Sequence, residues 1–192
     1  MSKKQLSLLE PVPLLPEGFK YQPELIGAAE EEALLRHVRE LPFKEFEFHG
    51  FTGKRRTVSY GWHYDFSAQA LRPAEEMPPF LLSLRDTAAR FAGISPERFQ
   101  QALVIEYDAG ASIGWHRDKQ VFGEVIGISL LSPCRFRFRR KAGSSWDRIS
   151  ISAEPRSAYL LRGASRTEWE HSIPAVDSLR YSITYRNLRD SR

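Results

Sequence analysis

His116 and Asp118 stand one residue apart at the end of the run Tyr107-Asp-Ala-Gly-Ala-Ser-Ile-Gly-Trp-His-Arg-Asp118, and a second histidine, His171, closes Trp169-Glu-His171. Two imidazoles and one carboxylate can take one face of an octahedral Fe(II) and leave the opposite face open for a co-substrate and dioxygen. A His-x-Asp pair alone is more often structural than metal-binding, so its meaning rests on what surrounds it. Here Tyr107 and Gly110 precede the pair, and Arg180 and Arg186 bracket Arg180-Tyr-Ser-Ile-Thr-Tyr-Arg186 after the second histidine. Residues an even number apart share one face of a strand. Both guanidiniums are therefore expected to enter one cavity as neighbours, where a metabolite with two carboxylates would find cationic partners.

In this order and at these separations, Tyr107-x-x-Gly110, His116-x-Asp118, His171 and Arg180-x5-Arg186 resemble the AlkB family of Fe(II)- and 2-oxoglutarate-dependent dioxygenases. The resemblance implies that His116, Asp118 and His171 hold iron, that Arg180 pairs with the distal carboxylate of 2-oxoglutarate, and that Tyr107 hydrogen-bonds this co-substrate. Ser182, standing where many members carry Asn, joins the same expected shell, and Ile105 replaces another common Asn. Arg186 is expected near the iron-proximal end, bracing Asp118. The implied activity is oxidative demethylation of an N-alkylated base in DNA or RNA, with dioxygen consumed and formaldehyde, succinate and carbon dioxide released. Two alternatives remain: a hydroxylase or demethylase of protein side chains, and a nucleic-acid-binding module that keeps the fold without turnover. An intact triad and both arginines argue against the second, because a mere binder needs no open coordination sites.

The elements that must position these residues can be read from periodicity. Residues 1–20 are rich in Pro and Leu and suggest an extended arm. Helical spacing runs from Pro23 to Leu41 and again from Pro79 to Phe91, with Gly93 as a stop. After Gln101 the period shortens to that of strands, and Ala102 to Tyr107, Val125 to Leu131, Arg135 to Arg139, Arg148 to Ser152, Ser157 to Leu161, Trp169 to Ile173 and Arg180 to Tyr185 read as an antiparallel meander. Two helices before many strands predict an α+β, mainly β chain. The resemblance makes its core a double-stranded β-helix, or jelly roll. The 192 residues suit a single dioxygenase domain, with helices and a substrate lid over 21–95 and the catalytic β core over 96–192.

Between the helices, Lys54, Arg55 and Arg56 precede alternating rings at Tyr60, Trp62, Tyr64 and Phe66. Cations that meet phosphates and rings that stack on bases are what a nucleic-acid groove requires, although the same alternation describes the buried face of an ordinary strand. The resemblance places a β-rich nucleotide-recognition lid here. Lys54, Arg55, Arg56, Tyr60, Trp62 and His63 are its expected substrate contacts, around a single-stranded or flipped base. Arg135, Arg137 and Arg139 should share one strand face with Phe136 and Phe138 inward. A net charge of +4 permits a polyanionic partner without requiring one. One cysteine, no apparent signal peptide and no apolar run long enough to span a bilayer predict a cytoplasmic protein that avoids membranes, expected to be a monomer.

Overall fold

β-Branched and aromatic residues alternate with polar ones in short runs through the second half of the chain, and Pro133, Pro155 and Pro174, which cannot donate to a ladder, fall between the runs. The computed structural model describes residues 15–48 and 51–189. Its strands are β1 (Lys20–Gln22), β2 (Lys44–Phe48), β3 (Phe51–Tyr60), β4 (Trp62–Asp65), β5 (Ala70–Pro73), β6 (Phe99–Tyr107), β7 (Ile113–His116), β8 (Phe122–Leu130), β9 (Cys134–Ala142), β10 (Ser145–Ala153), β11 (Ala158–Leu161), β12 (Glu170–Ile173) and β13 (Arg180–Leu188). The helices are α1 (Ala28–Val38), α2 (Pro79–Ala92) and the short α3 (Ala164–Thr167). None is long and apolar enough to cross a membrane among the described residues.

Among these residues the strands form a seven-stranded sheet ordered β1, β11, β8, β13, β6, β3, β2, a four-stranded sheet ordered β10, β9, β12, β7, and a separate hairpin of β4 with β5. The meander expected from sequence is corrected. From β6 to β13 only β9 and β10 are consecutive partners, and every other connection carries the chain from one sheet to the other. Alternation fixes which face of a strand is buried but not which strand lies beside it, so pairing order was not in the pattern. The crossing pattern is that of a jelly roll.

The central strands of the large sheet, β6, β8 and β13, are largely buried on both faces, and this gives the fold two cores. Tyr181, Ile183 and Tyr185 of β13 pack with Ile126 and Ile128 of β8 and with Leu81 and Leu84 of α2. The opposite face meets the small sheet, where Ile105, Tyr107 and Val125 pack with Phe136, Phe138 and Trp169. Burial of one Leu or Phe stabilises by about 1.5–3 kcal/mol, so the helices hold the large sheet firmly. Polar ties fix the register of that contact. The Tyr185 hydroxyl donates to the Leu81 carbonyl at 2.6 Å, and the Glu31 carboxylate accepts from Leu131 N–H at 2.8 Å.

α2 follows its expectation, starting at Pro79 and ending at Gly93, whose left-handed φ of 67° suits a residue without Cβ. α1 is shorter than expected. Pro23 lies outside it, because Leu25 N–H donates to the Arg156 carbonyl at 2.8 Å instead of entering a helical turn. Most of the expected arm lies outside the described residues, but Lys20–Gln22 pairs with β11 as an edge strand of the large sheet.

Gly127 faces Tyr159 across the β8–β11 ladder, and a Cβ added there would overlap the Tyr159 ring. Tyr159 is wedged against Phe136, with ring centroids 4.5 Å apart, and has little room to retreat. Gly127→Ala should therefore cost about 1–3 kcal/mol of stability by overpacking. A urea denaturation midpoint equal to that of the wild type would show that the ring moves freely.

Candidate metal centre

The small sheet brings the two histidines together by register: His116 of β7 stands opposite His171 of β12. Their ring centroids are 4.3 Å apart. His116 Nδ1 lies 2.9 Å from the Gly114 carbonyl, which assigns the ring hydrogen to Nδ1 and leaves the lone pair on Nε2. The His171 ring is stacked on Phe136 at 5.3 Å. Asp118, two residues beyond His116, places Oδ2 3.5 Å from His171 Nε2. One ligand atom from each of the three lies within 4.8 Å of the others, the spacing a single metal ion could bridge.

The electrostatics suit ligation. Burial, reinforced by His116, lowers the pKa of His171 to about 3, so its imidazole is neutral at neutral pH. Burial acts to raise the Asp118 carboxyl, but Arg186, helped by both histidines, holds it well below the usual carboxylate range. Arg186 delivers Nε at 2.9 Å and Nη2 at 2.8 Å to the same oxygen, Oδ1, so the oxygen facing His171 remains unspent. Its Nη1 donates to Gln101 at 3.0 Å. Arg166, which nothing in its local sequence distinguishes, is buried and donates to the carbonyls of Lys119, Phe122 and Gly123 at 2.8 Å each. It thereby pins the turn that follows Asp118.

Arg180 occupies the other end of the same strand face. The expectation of neighbouring guanidiniums is corrected: six residues of strand span about 20 Å, so the two arginines serve different partners. Arg180 is 1% exposed, opposite Tyr107 in the ladder, with its guanidinium 4.8 Å from the Tyr107 ring. Nε and Nη2 donate to Ser129 Oγ at 3.2 and 3.0 Å, while Nη1 is buried with no hydrogen-bond partner. No carboxylate pairs with it among the described residues. An uncompensated buried cation costs several kcal/mol, which an anionic ligand beside Arg180 would offset. The Tyr107 hydroxyl lies 3.4 Å from Ser182 Oγ, which places Ser182 in the same shell. Gly110, at φ 83°, turns the chain after Tyr107 and donates to the Val176 carbonyl at 2.7 Å.

The expected lid group divides. Three consecutive strand residues must alternate faces. Arg56 points toward the helices, 2.7 Å from Glu106, with its guanidinium over the Phe43 ring. Tyr60 is 5% exposed within the helix-side core. Neither is available to a substrate at the metal centre. Arg55 lies on the interior face, opposite Tyr107 from the side away from Arg180, and burial lowers its pKa. Lys54 is exposed beside Gly110. Trp62 and His63 are half-buried on β4, paired with Pro73 and Arg72. Tyr64 and Phe66 instead meet Lys119, whose ammonium lies 5.1 and 5.3 Å from their centroids. Lys119 directly follows Asp118. The period-two run Trp62, Tyr64, Phe66 was the signal that could have found them.

Comparison with known proteins agrees with this geometry. The model of the 2OG-Fe(II) oxygenase superfamily matches residues 20–188. The alkylated DNA repair protein ALKBH8 homolog of Arabidopsis thaliana is 26% identical over 200 residues, covering 90% of this chain and 56% of that protein. The mitochondrial alpha-ketoglutarate-dependent dioxygenase alkB homolog 7 of Bos taurus is 28% identical over 163 residues, covering 79% and 65%. The chain thus spans between about half and two thirds of these relatives. The solved structure of OsALKBH1 is similar with a TM-score of 0.67 over 91% of this chain and 98% of that one, at 14% identity, a likeness of fold.

Removing Arg186 would leave Asp118 buried without its main counter-charge. Loss of such an outer partner typically weakens metal affinity about 10–100-fold. Arg186→Met should show that loss in an Fe(II) or Co(II) titration, and wild-type affinity in the variant would refute the supporting role.

Proposed function

The chain belongs to the 2OG-Fe(II) oxygenase superfamily, and we propose that this Fe(II)- and 2-oxoglutarate-dependent dioxygenase removes an alkyl group from an N-alkylated base of DNA or RNA. His116, Asp118 and His171 would hold the iron, and Arg180 would take the distal carboxylate of 2-oxoglutarate. The observation that carries the co-substrate assignment is the buried Arg180 Nη1 without a partner. A carboxylate opposite it would gain a charge-assisted hydrogen bond of a kind worth about 1.5–3 kcal/mol.

When bound, iron and 2-oxoglutarate supply the oxidation: dioxygen is consumed, succinate and carbon dioxide form, and a hydroxylated methyl carbon leaves as formaldehyde. The chain's own residues position and exclude. Arg186 fixes the orientation of Asp118, and Tyr107 with Ser182 offers hydroxyls beside Arg180. Tyr64, Phe66 and Lys119, with Trp62, His63 and Lys54 at the rim, would receive a base taken out of its stack. A nucleic-acid substrate is supported by these rings and cations and by the description of the Arabidopsis relative as an alkylated DNA repair protein. The match over residues 20–188 supports reading the chain as one catalytic domain.

The test is incubation with Fe(II), 2-oxoglutarate and a panel of N-methylated oligonucleotides, single- and double-stranded, alongside methylated peptides, read by mass. Loss of about 14 mass units from an oligonucleotide is expected, or gain of about 16 if the hydroxylated product is stable. Change in peptides alone would overturn the nucleic-acid reading. Asp118→Ala should abolish succinate formation while the thermal melt stays cooperative, and unchanged succinate formation would remove the triad from the chemistry.

A further inference from the structure

The outer face of the small sheet carries charge and rings that the metal centre does not use. Phe136 and Phe138 of β9 are buried between the sheets, which leaves Arg135, Arg137, Arg139 and Lys141 on the opposite face. The ladder sets Arg148 of β10 opposite Arg139, and Trp146 opposite Lys141. Like charges directly across a sheet destabilise it, so folding alone does not account for this arrangement. Glu170 pairs with Arg139 at 2.6 Å, but Arg135, Arg137, Lys141 and Arg148 form no ion pair among the described residues.

Two indoles are interleaved with these cations. Trp115, the residue before His116, has the Arg137 and Arg139 guanidiniums 5.0 and 4.6 Å from its ring. Arg139 also lies 4.4 Å from the ring of Trp146, which is 39% exposed. Register ties this face to the metal centre: Arg139 stands opposite Glu170, adjacent to His171 in the chain. The strands that point the histidines inward therefore present Trp115 and the partners of Arg139 outward. A polymer leaving the mouth of the site could continue over them.

We propose that this outer face binds the backbone of single-stranded nucleic acid flanking the base that enters the site, with Trp146 as a stacking platform. The inference rests on the nucleic-acid reading above and extends it to the outward face of the sheet whose inward face carries the histidines. Phosphates answer the unpaired cations, and an exposed ring fits unpaired bases, whose faces a duplex would hide. An acidic protein segment would satisfy the charges but would have no use for the ring.

The experiment uses the full chain and a long unmodified single-stranded oligonucleotide, with affinity measured across a salt series. Arg135→Ser, Lys141→Ser and Arg148→Ser combined, all at exposed positions, should lower the slope of log affinity against log salt by about two, since each phosphate contact contributes about 0.7. Trp146→Ala should weaken binding about 5- to 150-fold at nearly constant slope, and Trp146→Phe should restore much of it. Thermal melts equal to wild type would confirm that the variants fold. Oxidation of a methylated trinucleotide should be unchanged in the triple variant, while oxidation of a long methylated oligonucleotide should fall. If the wild type binds and oxidises oligonucleotides but the variants match it, the outer face is not the track and the function stands. If the wild type binds no oligonucleotide, both readings fail. Competition by polyglutamate as strong as by oligonucleotide, with Trp146→Ala without effect, would assign the face to an acidic protein instead.

Discussion

The contact between Arg186 and Asp118 is the constraint on which the site depends. It joins β13, held by both helices, to the turn that follows β7 in the opposing sheet. Desolvating a carboxylate costs several kcal/mol unless a partner meets it with good geometry, and Arg186 meets it with two N–H groups on one oxygen. The second oxygen is thereby aimed at His171. Asp118 needs this support because it lies beyond the end of β7, without a ladder to hold it. Arg166 supplies the remainder by binding three successive backbone regions of the turn.

The two arginines of β13 share a face but not a condition. Arg186 is neutralised by the protein itself, whereas Arg180 has a polar atom buried with no partner. Local departures of this kind are expected where a ligand completes the structure, which is the role proposed for Arg180. The Ser129 hydroxyl gives Arg180 a neutral hydrogen-bond partner without consuming its charge, and the Tyr107 and Ser182 hydroxyls lie 3.4 Å from each other beside it. On the proposed reading the pocket is organised for an anion before one arrives, which would lower the ordering cost of binding.

Much of this was legible in the sequence, and the failures have physical reasons. The gathering of His116, Asp118 and His171 at one point was legible because chemistry restricts residue type, and the inward turn of Phe136 and Phe138 because strand period restricts face. Sheet order was not, since a strand buried on both faces carries no label for its neighbour. The separation of Arg180 from Arg186 follows from strand rise, a length that sharing a face does not convey. Arg56 and Tyr60 were misplaced because a row of cations and rings in sequence becomes two opposed faces in a strand, and Glu106, the partner that claims Arg56, lies far along the chain. Tyr64 and Phe66 were visible as rings, but their meeting with Lys119 is a tertiary event.

The central claim is that the triad and Arg180 form one binding unit, metal at one end and dicarboxylate at the other. Calorimetric titration of 2-oxoglutarate into the protein without oxygen tests it most directly, with and without Mn(II) in place of iron, and in wild type against Arg180→Met. The account predicts saturable binding to the metal-loaded wild type, marked weakening without metal, and loss of 2-oxoglutarate binding in Arg180→Met while Mn(II) binding persists. Equal 2-oxoglutarate affinity in the metal-loaded variant and wild type would contradict it.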